Sequence, residues 1–161
     1  MIVTRSKESG FTLIELVITT AIIGLLASLA VPMLGVISQR QKESELRTAL
    51  RQIRGAIDAY HDAAIDGKIE KSPDSNGYPP NLLVLEKGVP DITKPNRPLI
   101  YFLRKLPRDP FASDRSLGAA QTWGKRSYAS SSNEPKEGDD VFDVFSRTPG
   151  AGLNGVLYKE W

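Results

Sequence analysis

The sequence predicts an α+β protein in which a long N-terminal helix, first transmembrane and then amphipathic, packs on a small antiparallel sheet. Three observations support this prediction. Residues 11–37 are almost entirely apolar, apolar residues then recur every three or four positions as far as Ala64, and short alternating segments follow near the end of the chain. The first two features together indicate one continuous helix with two different environments along its length.

The apolar run, residues 11–37, exceeds the roughly 20 residues with which a helix crosses a bilayer. Its one ionisable side chain is that of Glu15, and Arg5 and Lys7 precede the run. Such a basic flank orients the N-terminus towards the cytoplasm. A carboxylate within a membrane segment costs roughly 2.5–3.5 kcal/mol on insertion scales, so we expect Glu15 to have a function and a partner. The alternative is that its side chain reaches the nearby membrane surface.

A secretory signal peptide is a poor description of this run. Signal peptides have an apolar core of about 7–15 residues, followed by a small-residue cleavage site, and the core is removed. The run here is longer, and its small residues Ala27, Ser28 and Ala30 lie in the middle rather than at the end. A retained membrane segment is therefore expected.

The amphipathic part of the helix is expected to continue to about Asp66, where Asp66-Gly67 forms a stop signal. Within it, Arg54 and Asp58 have the i,i+4 spacing of a surface ion pair. Pro32, inside the apolar run, removes a backbone donor, so we expect a kink or a melted turn there. The apolar stripe comprises Leu46, Ala49, Leu50, Ile53, Ala56, Ile57, Tyr60 and Ala64.

The remaining chain predicts turns, one short helix and three strands. Turn signals fill residues 68–80, and a short helix is expected from about Asn81 to Lys87, ended by Gly88. The strand candidates are residues 122–129, 141–146 and 156–158, the second of which alternates in character. Trp123 and Trp161 are expected at the edge of the domain, with Trp161 covering the sheet.

Composition limits the function classes. The 161 residues leave room for one domain beside the membrane helix, and a net charge of +2 indicates neither nucleic acid nor an acidic partner. Without cysteine, no disulfide can stabilise a domain outside the cytoplasm. The one histidine, His61, stands on the long helix beside Asp62 and has no nucleophile or metal-ligand spacing around it in the sequence. These observations predict that the protein is not an enzyme.

The segment GFTLIE, from Gly10 to Glu15, resembles the class III signal of type IV pilins and of the pseudopilins of type II secretion. In that family a prepilin peptidase cuts after the glycine, methylates the new N-terminal phenylalanine and leaves the apolar helix on the protein. The resemblance implies cleavage between Gly10 and Phe11 and N-methylation of Phe11. It also implies that Glu15 pairs with the terminal amine of a neighbouring subunit, and that the helix around Pro32 loosens during assembly.

This resemblance divides the chain into three parts. Residues 1–10 are a cleaved cytoplasmic leader, residues 11–37 are a transmembrane and filament-core helix, and residues 38–161 are a periplasmic domain that includes the second half of the long helix. The segments YFLRKLPRDPF and DVFDVFSRTPGAGLNGVLYKEW further resemble G-type major pseudopilins, as does the absence of cysteine.

Membership of that group implies a structural subunit of a type II secretion pseudopilus, which drives protein export across the outer membrane. The implied location is the bacterial inner membrane, crossed once, and then the pseudopilus. The implied partners are further copies of the chain, minor pseudopilins, the inner-membrane assembly platform and the prepilin peptidase, and not nucleic acid. The alternatives are a type IV or competence pilin and a membrane-anchored binding domain that does not polymerise.

Calcium is the one cofactor that the resemblance raises, because G-type pseudopilins usually bind this ion in the loop that follows the last long strand. Calcium takes six to eight oxygen ligands, many of them carboxylates. The corresponding loop here, residues 146–155, has no acidic residue. We therefore expect no cofactor and a loop restrained by Pro149 and the Asn154-Gly155 turn. The only calcium candidates are the acids that precede the loop, Asp139, Asp140 and Asp143.

Overall fold

The long helix of the computed structural model, α1, extends over Leu13–Ile65. The structure describes residues 10–73 and 75–161, with the side chains of residues 29–32 excepted, so most of the predicted leader lies outside the described residues. The helix ends where the sequence predicts, because Gly67 adopts a φ of 69° and donates its amide to the carbonyl of Ala64. The helix continues through Pro32, so the turn around this residue is not melted. The alternative expectation, a kink at Pro32, stays a prediction.

The chain divides into two compact units, Met1–Gln39 and Arg40–Trp161. In the described part of the chain, α1 is the one helix that is long and apolar enough to cross a membrane. Its most apolar window of 18 residues has a mean hydropathy of 2.3, and none of that window is buried. Within the described residues, the first unit is therefore mainly an apolar helix that needs lipid or other protein around it.

The second unit combines helix with small antiparallel sheets, which confirms the predicted α+β, type IV pilin-like class. Helix α2 (Leu83–Lys87) precedes strand β1 (Val89–Pro90), which pairs with β2 (Leu99–Ile100). Strand β3 (Trp123–Arg126) pairs with β4 (Asp143–Ser146), with Trp123 opposite Ser146. Turns of 3₁₀-helix occupy Ala119–Thr122 and Tyr158–Glu160.

The sheet differs from the predicted three strands. In the described residues there are two separate two-stranded sheets, and β1 and β2 were not expected because two residues in a proline-rich segment carry no alternation. The third predicted strand, residues 156–158, is reduced to a bridge between Ala151 and Leu157 that is followed directly by 3₁₀-helix.

The core of the second unit lies against one face of α1. All eight positions of the predicted apolar stripe are buried, which confirms the stripe. Trp123, expected at the edge, is completely buried, and its indole N–H donates to the carbonyl of Pro107 at 2.9 Å. That prediction was wrong because the indole N–H finds a main-chain partner inside the domain, so burying the ring leaves no polar group unsatisfied.

Candidate functional site

The predicted cleavage site lies immediately before α1. Gly10 and Phe11 are exposed and precede the first helical residue, Leu13, and no atom of the described residues lies within 4 Å of the position a Cβ would occupy on Gly10. A bond that is to be cut must be accessible to the peptidase. The Gly10-Phe11 segment meets this condition and lies outside any helix or strand.

Thr12 begins the helix. Its side-chain oxygen accepts the backbone N–H of Glu15 at 3.3 Å, which is the interaction of an N-cap residue. Thr12 was not among the predicted site residues, although the spacing Thr-x-x-Glu is the signature of a capping box. The cap places the start of the helix, and therefore Glu15, at a constant distance from the predicted cut.

Glu15 lies in the first turn of α1, where a carboxylate is favoured by the positive end of the helix dipole. The side chain is exposed, and among the described residues no cation forms an ion pair with it. Removing residues 1–10 would create a positively charged amine on Phe11, close to this carboxylate in the chain. The geometry leaves the carboxylate available to an amine of its own chain or of another.

The second group of candidate residues, the acids before the C-terminal loop, is already engaged within the domain. Asp143, on β4, accepts hydrogen bonds from Nε of Arg54 at 2.7 Å, from the amide of Val144 at 2.7 Å and from Arg126 at 3.4 Å. Its carboxylate therefore neutralises two arginines and has little free capacity for a metal ion.

Asp140 is bound to a different set of donors. It accepts the hydroxyl of Ser127 at 2.7 Å, the amide of Tyr128 at 2.9 Å and the side-chain amide of Asn76 at 3.3 Å. Burial opposes ionisation of Asp140, but these hydrogen bonds outweigh it and lower the pKa of the carboxyl below its ordinary value. The neighbouring Asp139 is exposed.

The three calcium candidates therefore do not come together as a site. Among the described residues, no group of three or more histidine, cysteine, aspartate or glutamate side chains could hold a metal ion. Calcium requires several convergent oxygens, whereas Asp140 and Asp143 direct theirs at separate protein donors. The residues present do not fit the ion that the resemblance raises.

The i,i+4 spacing predicted that Arg54 pairs with Asp58. In the structure, Arg54 pairs instead with Asp143, which is distant in the sequence. Besides binding Asp143, its guanidinium donates to the main-chain oxygens of Val144 at 3.1 Å and of Trp161 at 2.7 Å. The i,i+4 rule describes an isolated helix surface. Here the planar guanidinium donates to one carboxylate and to two main-chain oxygens, one on β4 and one at Trp161. Asp58 could offer only a carboxylate.

Replacing Arg54 by alanine is expected to lower the free energy of unfolding by about 2–3 kcal/mol, because hydrogen bonds to a charged group are lost and two main-chain oxygens lose a donor. Asp58→Ala is the matched control, since no ion pair of Asp58 occurs among the described residues, and it should cost less than about 0.5 kcal/mol. Urea unfolding of the full-length protein in detergent measures both variants. Equal losses of unfolding free energy in the two variants would show that Arg54 pairs with Asp58 on the helix surface.

A further acid, Glu43, is buried on α1 and was not among the predicted site residues. Its side chain accepts the amide of Leu153 at 2.9 Å and the hydroxyl of Tyr158 at 3.1 Å. A signal for it exists in the sequence, because position 43 extends the apolar stripe by one step of three residues before Leu46. A carboxylate on the buried face of a helix requires donors from elsewhere in the fold.

His61 packs against an aromatic side chain. Its ring stacks on that of Tyr78, with centroids 4.3 Å apart and an interplanar angle of 19°. The ring packs as an aromatic side chain on the face of α1.

Comparison with known proteins gives consistent matches. The family model described as "Prokaryotic N-terminal methylation motif" matches residues 5–31. The type II secretion system core protein G of Pseudomonas aeruginosa is 30% identical over 144 residues, which cover 87% of this chain and 94% of the relative. The corresponding protein of Escherichia coli is 30% identical over 115 residues, covering 69% and 72%.

The core protein G of Vibrio cholerae is also 30% identical, over 112 residues that cover 67% of this chain and 68% of the relative. No solved structure matches this chain. The methylation motif includes the accessible segment before α1 and the first part of that helix, and the similarity to the Pseudomonas protein continues through the helix and the domain. The chain belongs to the family of type II secretion system core protein G, the G-type pseudopilins.

Proposed function

We propose that this chain is a structural, non-catalytic subunit that is processed by a prepilin peptidase and polymerises through α1 into the pseudopilus of a type II secretion system. The observation that carries the proposal is the order of features at the N-terminus. An accessible Gly10-Phe11 bond is followed at once by a capped helix of membrane length, with Glu15 in its first turn. The similarity to type II secretion core protein G over most of the chain supports the secretion pseudopilus rather than a surface pilus.

The first part of α1 is suited first to a lipid bilayer and then to the core of a filament. Its large apolar side chains are exposed, so they must be covered by lipid before assembly and by other helices after it. Lipid is as apolar as a helix core, so the hydrophobic effect contributes little to this transfer. Close packing and the pairing of Glu15 with a terminal amine would then decide whether the filament forms.

The location follows from the same features. The chain is anchored in the inner membrane by one helix, with residues 38–161 in the periplasm, until it enters the filament. Its partners are other copies, minor pseudopilins, the assembly platform and the peptidase. Nucleic acid is not among them, because Lys125, Arg126 and Trp123 are too few for a binding patch, and Trp123 is buried.

Deleting the gene in its own bacterium is expected to block export of the secreted enzymes, which should accumulate in the periplasm. Restoring the gene should restore export, while surface motility and DNA uptake should be the same with and without it. The measurement is enzyme activity in the medium and in the periplasm, together with electron microscopy of sheared filaments after overproduction. Normal export with a loss of motility or DNA uptake would identify a type IV or competence pilin. Normal export with no filament would identify a membrane-anchored domain that does not polymerise.

A further inference from the structure

The C-terminal loop, which we define as residues 147–157, is bound to α1 through a buried carboxylate. Glu43 is 6% exposed, and one of its oxygens accepts both the Leu153 amide and the Tyr158 hydroxyl. Hydrogen-bond donors offset the desolvation of a buried carboxylate, so opening the loop would cost Glu43 two of its donors. The carboxylate thereby opposes detachment of the loop.

The ends of the loop are held by a second residue of the same helix. The guanidinium of Arg54 binds the main-chain oxygen of Val144 before the loop and that of Trp161 after it. Its charge is balanced by Asp143. Glu43 and Arg54 are eleven positions apart on the helix, a rise of about 16 Å at roughly 1.5 Å per residue. One anion and one cation on α1 therefore hold the middle and the two ends of this segment.

The loop is closed internally by its own backbone and by Trp161. The amide of Gly152 donates to the carbonyl of Val156 at 2.9 Å. A Cβ on residue 152 would collide with the Trp161 indole, so the ring packs directly on the glycine backbone. Arg47 of α1 covers the other part of that indole, with its guanidinium 4.3 Å from the ring centre. Contacts from the helix thus add to the restraint of the loop that was expected from Pro149 and the Asn154-Gly155 turn.

We propose that Glu43 and Arg54 hold the C-terminal loop in place of a calcium ion, so that the loop is ordered without calcium. In a calcium loop, acceptor oxygens of the loop surround a bound cation. Here the polarity is reversed, because the loop supplies donors, the Leu153 N–H and the following Tyr158 O–H, to an anion carried by the helix. Glu43 is a positioning residue. The reversal accounts for a loop with no acidic residue, since carboxylates beside Glu43 would repel it.

Hydrogen exchange of the full-length protein in detergent micelles tests the role of Glu43. In Glu43→Ala, exchange of the amides of residues 147–157 should rise roughly ten- to hundredfold, because donors to a charged acceptor are released. Glu43→Gln keeps an acceptor oxygen and should restore part of the protection. Glu45→Ala removes an exposed acid of the same helix, one that accepts a hydrogen bond from the side chain of Gln41, and should change nothing.

Protection of the buried helix positions 46–57 serves as the internal reference in each variant, because a general loss of stability would raise exchange there as well. If Glu43→Ala unfolds the whole domain, Tyr158→Phe removes a single donor and should raise exchange in the loop alone by a few-fold. Unchanged exchange of the loop in both Glu43→Ala and Tyr158→Phe would overturn the role of Glu43.

The same measurement in chelator and in millimolar calcium tests the second half of the proposal. Exchange of the wild-type loop should be equal in both solutions. An ion bound at a hundredfold excess over its Kd would slow opening by roughly a hundredfold. Calcium-dependent slowing of this kind, with magnesium as the control cation, would show a real calcium site and overturn the proposal. Neither result depends on filament formation, so failure here and failure of the proposed function are separable.

Discussion

Replacing Glu15 by alanine or glutamine is expected to abolish pseudopilus formation while the protein remains correctly inserted in the membrane. Insertion should become easier, because a carboxylate costs roughly 2.5–3.5 kcal/mol in a membrane segment. Assembly should fail, because the terminal amine of the neighbouring subunit would be left in a low-dielectric region without a counter-charge. Breaking a buried pair by removing one partner costs about 3–5 kcal/mol, enough to reduce filament number by far more than roughly tenfold.

The measurement is the number and length of sheared filaments by electron microscopy, with membrane fractionation to check insertion. Thr20→Val is the matched control. It also removes a polar group from the same helix, but its hydroxyl donates within the helix, to the carbonyl of Leu16 at 2.8 Å. The control should assemble as the wild type does. Filaments of normal length and number from Glu15→Ala would mean that the carboxylate serves only insertion or reaches the membrane surface.

Substituting a larger residue for Gly10 is expected to leave the protein uncleaved in the inner membrane and to prevent secretion. The described part of the fold provides no reason for such a loss, because a Cβ on Gly10 meets none of its atoms within 4 Å. The effect must therefore arise at the peptidase, whose site would have to accept the added side chain beside the scissile bond. In Gly10→Val, nearly all of the protein should remain as the uncleaved precursor.

Mass spectrometry of membrane-extracted protein distinguishes the forms. Wild-type protein should lack residues 1–10 and carry one methyl group on the amine of Phe11, whereas Gly10→Val should retain both the leader and an unmodified Phe11. Gly24→Ala, at another glycine of α1 with open space around it, should be processed normally. Recovery of full-length wild-type protein from cells that contain an active prepilin peptidase would contradict the processing prediction.

These two substitutions should have larger effects than any change in the domain, because each removes a step on which every subunit depends. Arg54→Ala and Glu43→Ala alter the stability of one region by a few kcal/mol at most and leave the N-terminal segment unchanged. The contrast between the two kinds of variant separates assembly defects from folding defects in a single set of measurements.

Features carried by local periodicity could be predicted from the sequence. The helix from Leu13 to Ile65, its apolar stripe and its end near Gly67 all follow from patterns within a few residues of one another. The short helix was expected from about Asn81 and begins at Leu83, and the side chain of Asn81 accepts the amide of Val84 at 3.2 Å. The N-terminal methylation motif is likewise local, because it occupies one contiguous stretch of the sequence.

Partnerships between distant residues could not be predicted in this way. Arg54 appeared to pair with Asp58, one turn away, but binds Asp143, and Trp123 is fully buried because Pro107 accepts its indole N–H. The very short strands β1 and β2 have no pattern of their own and exist because the fold brings them together.

The sequence by itself therefore determined the class of this protein, its membrane helix and its family, since these depend on periodicity and on a contiguous motif. Only the tertiary structure decided how the C-terminal loop is held. Glu43 and Leu153 are far apart in the chain, and a hydrogen bond between them has no local signal beyond a carboxylate in an apolar stripe. The requirement that every buried charge find its partners is met by the whole fold, which a linear pattern does not record.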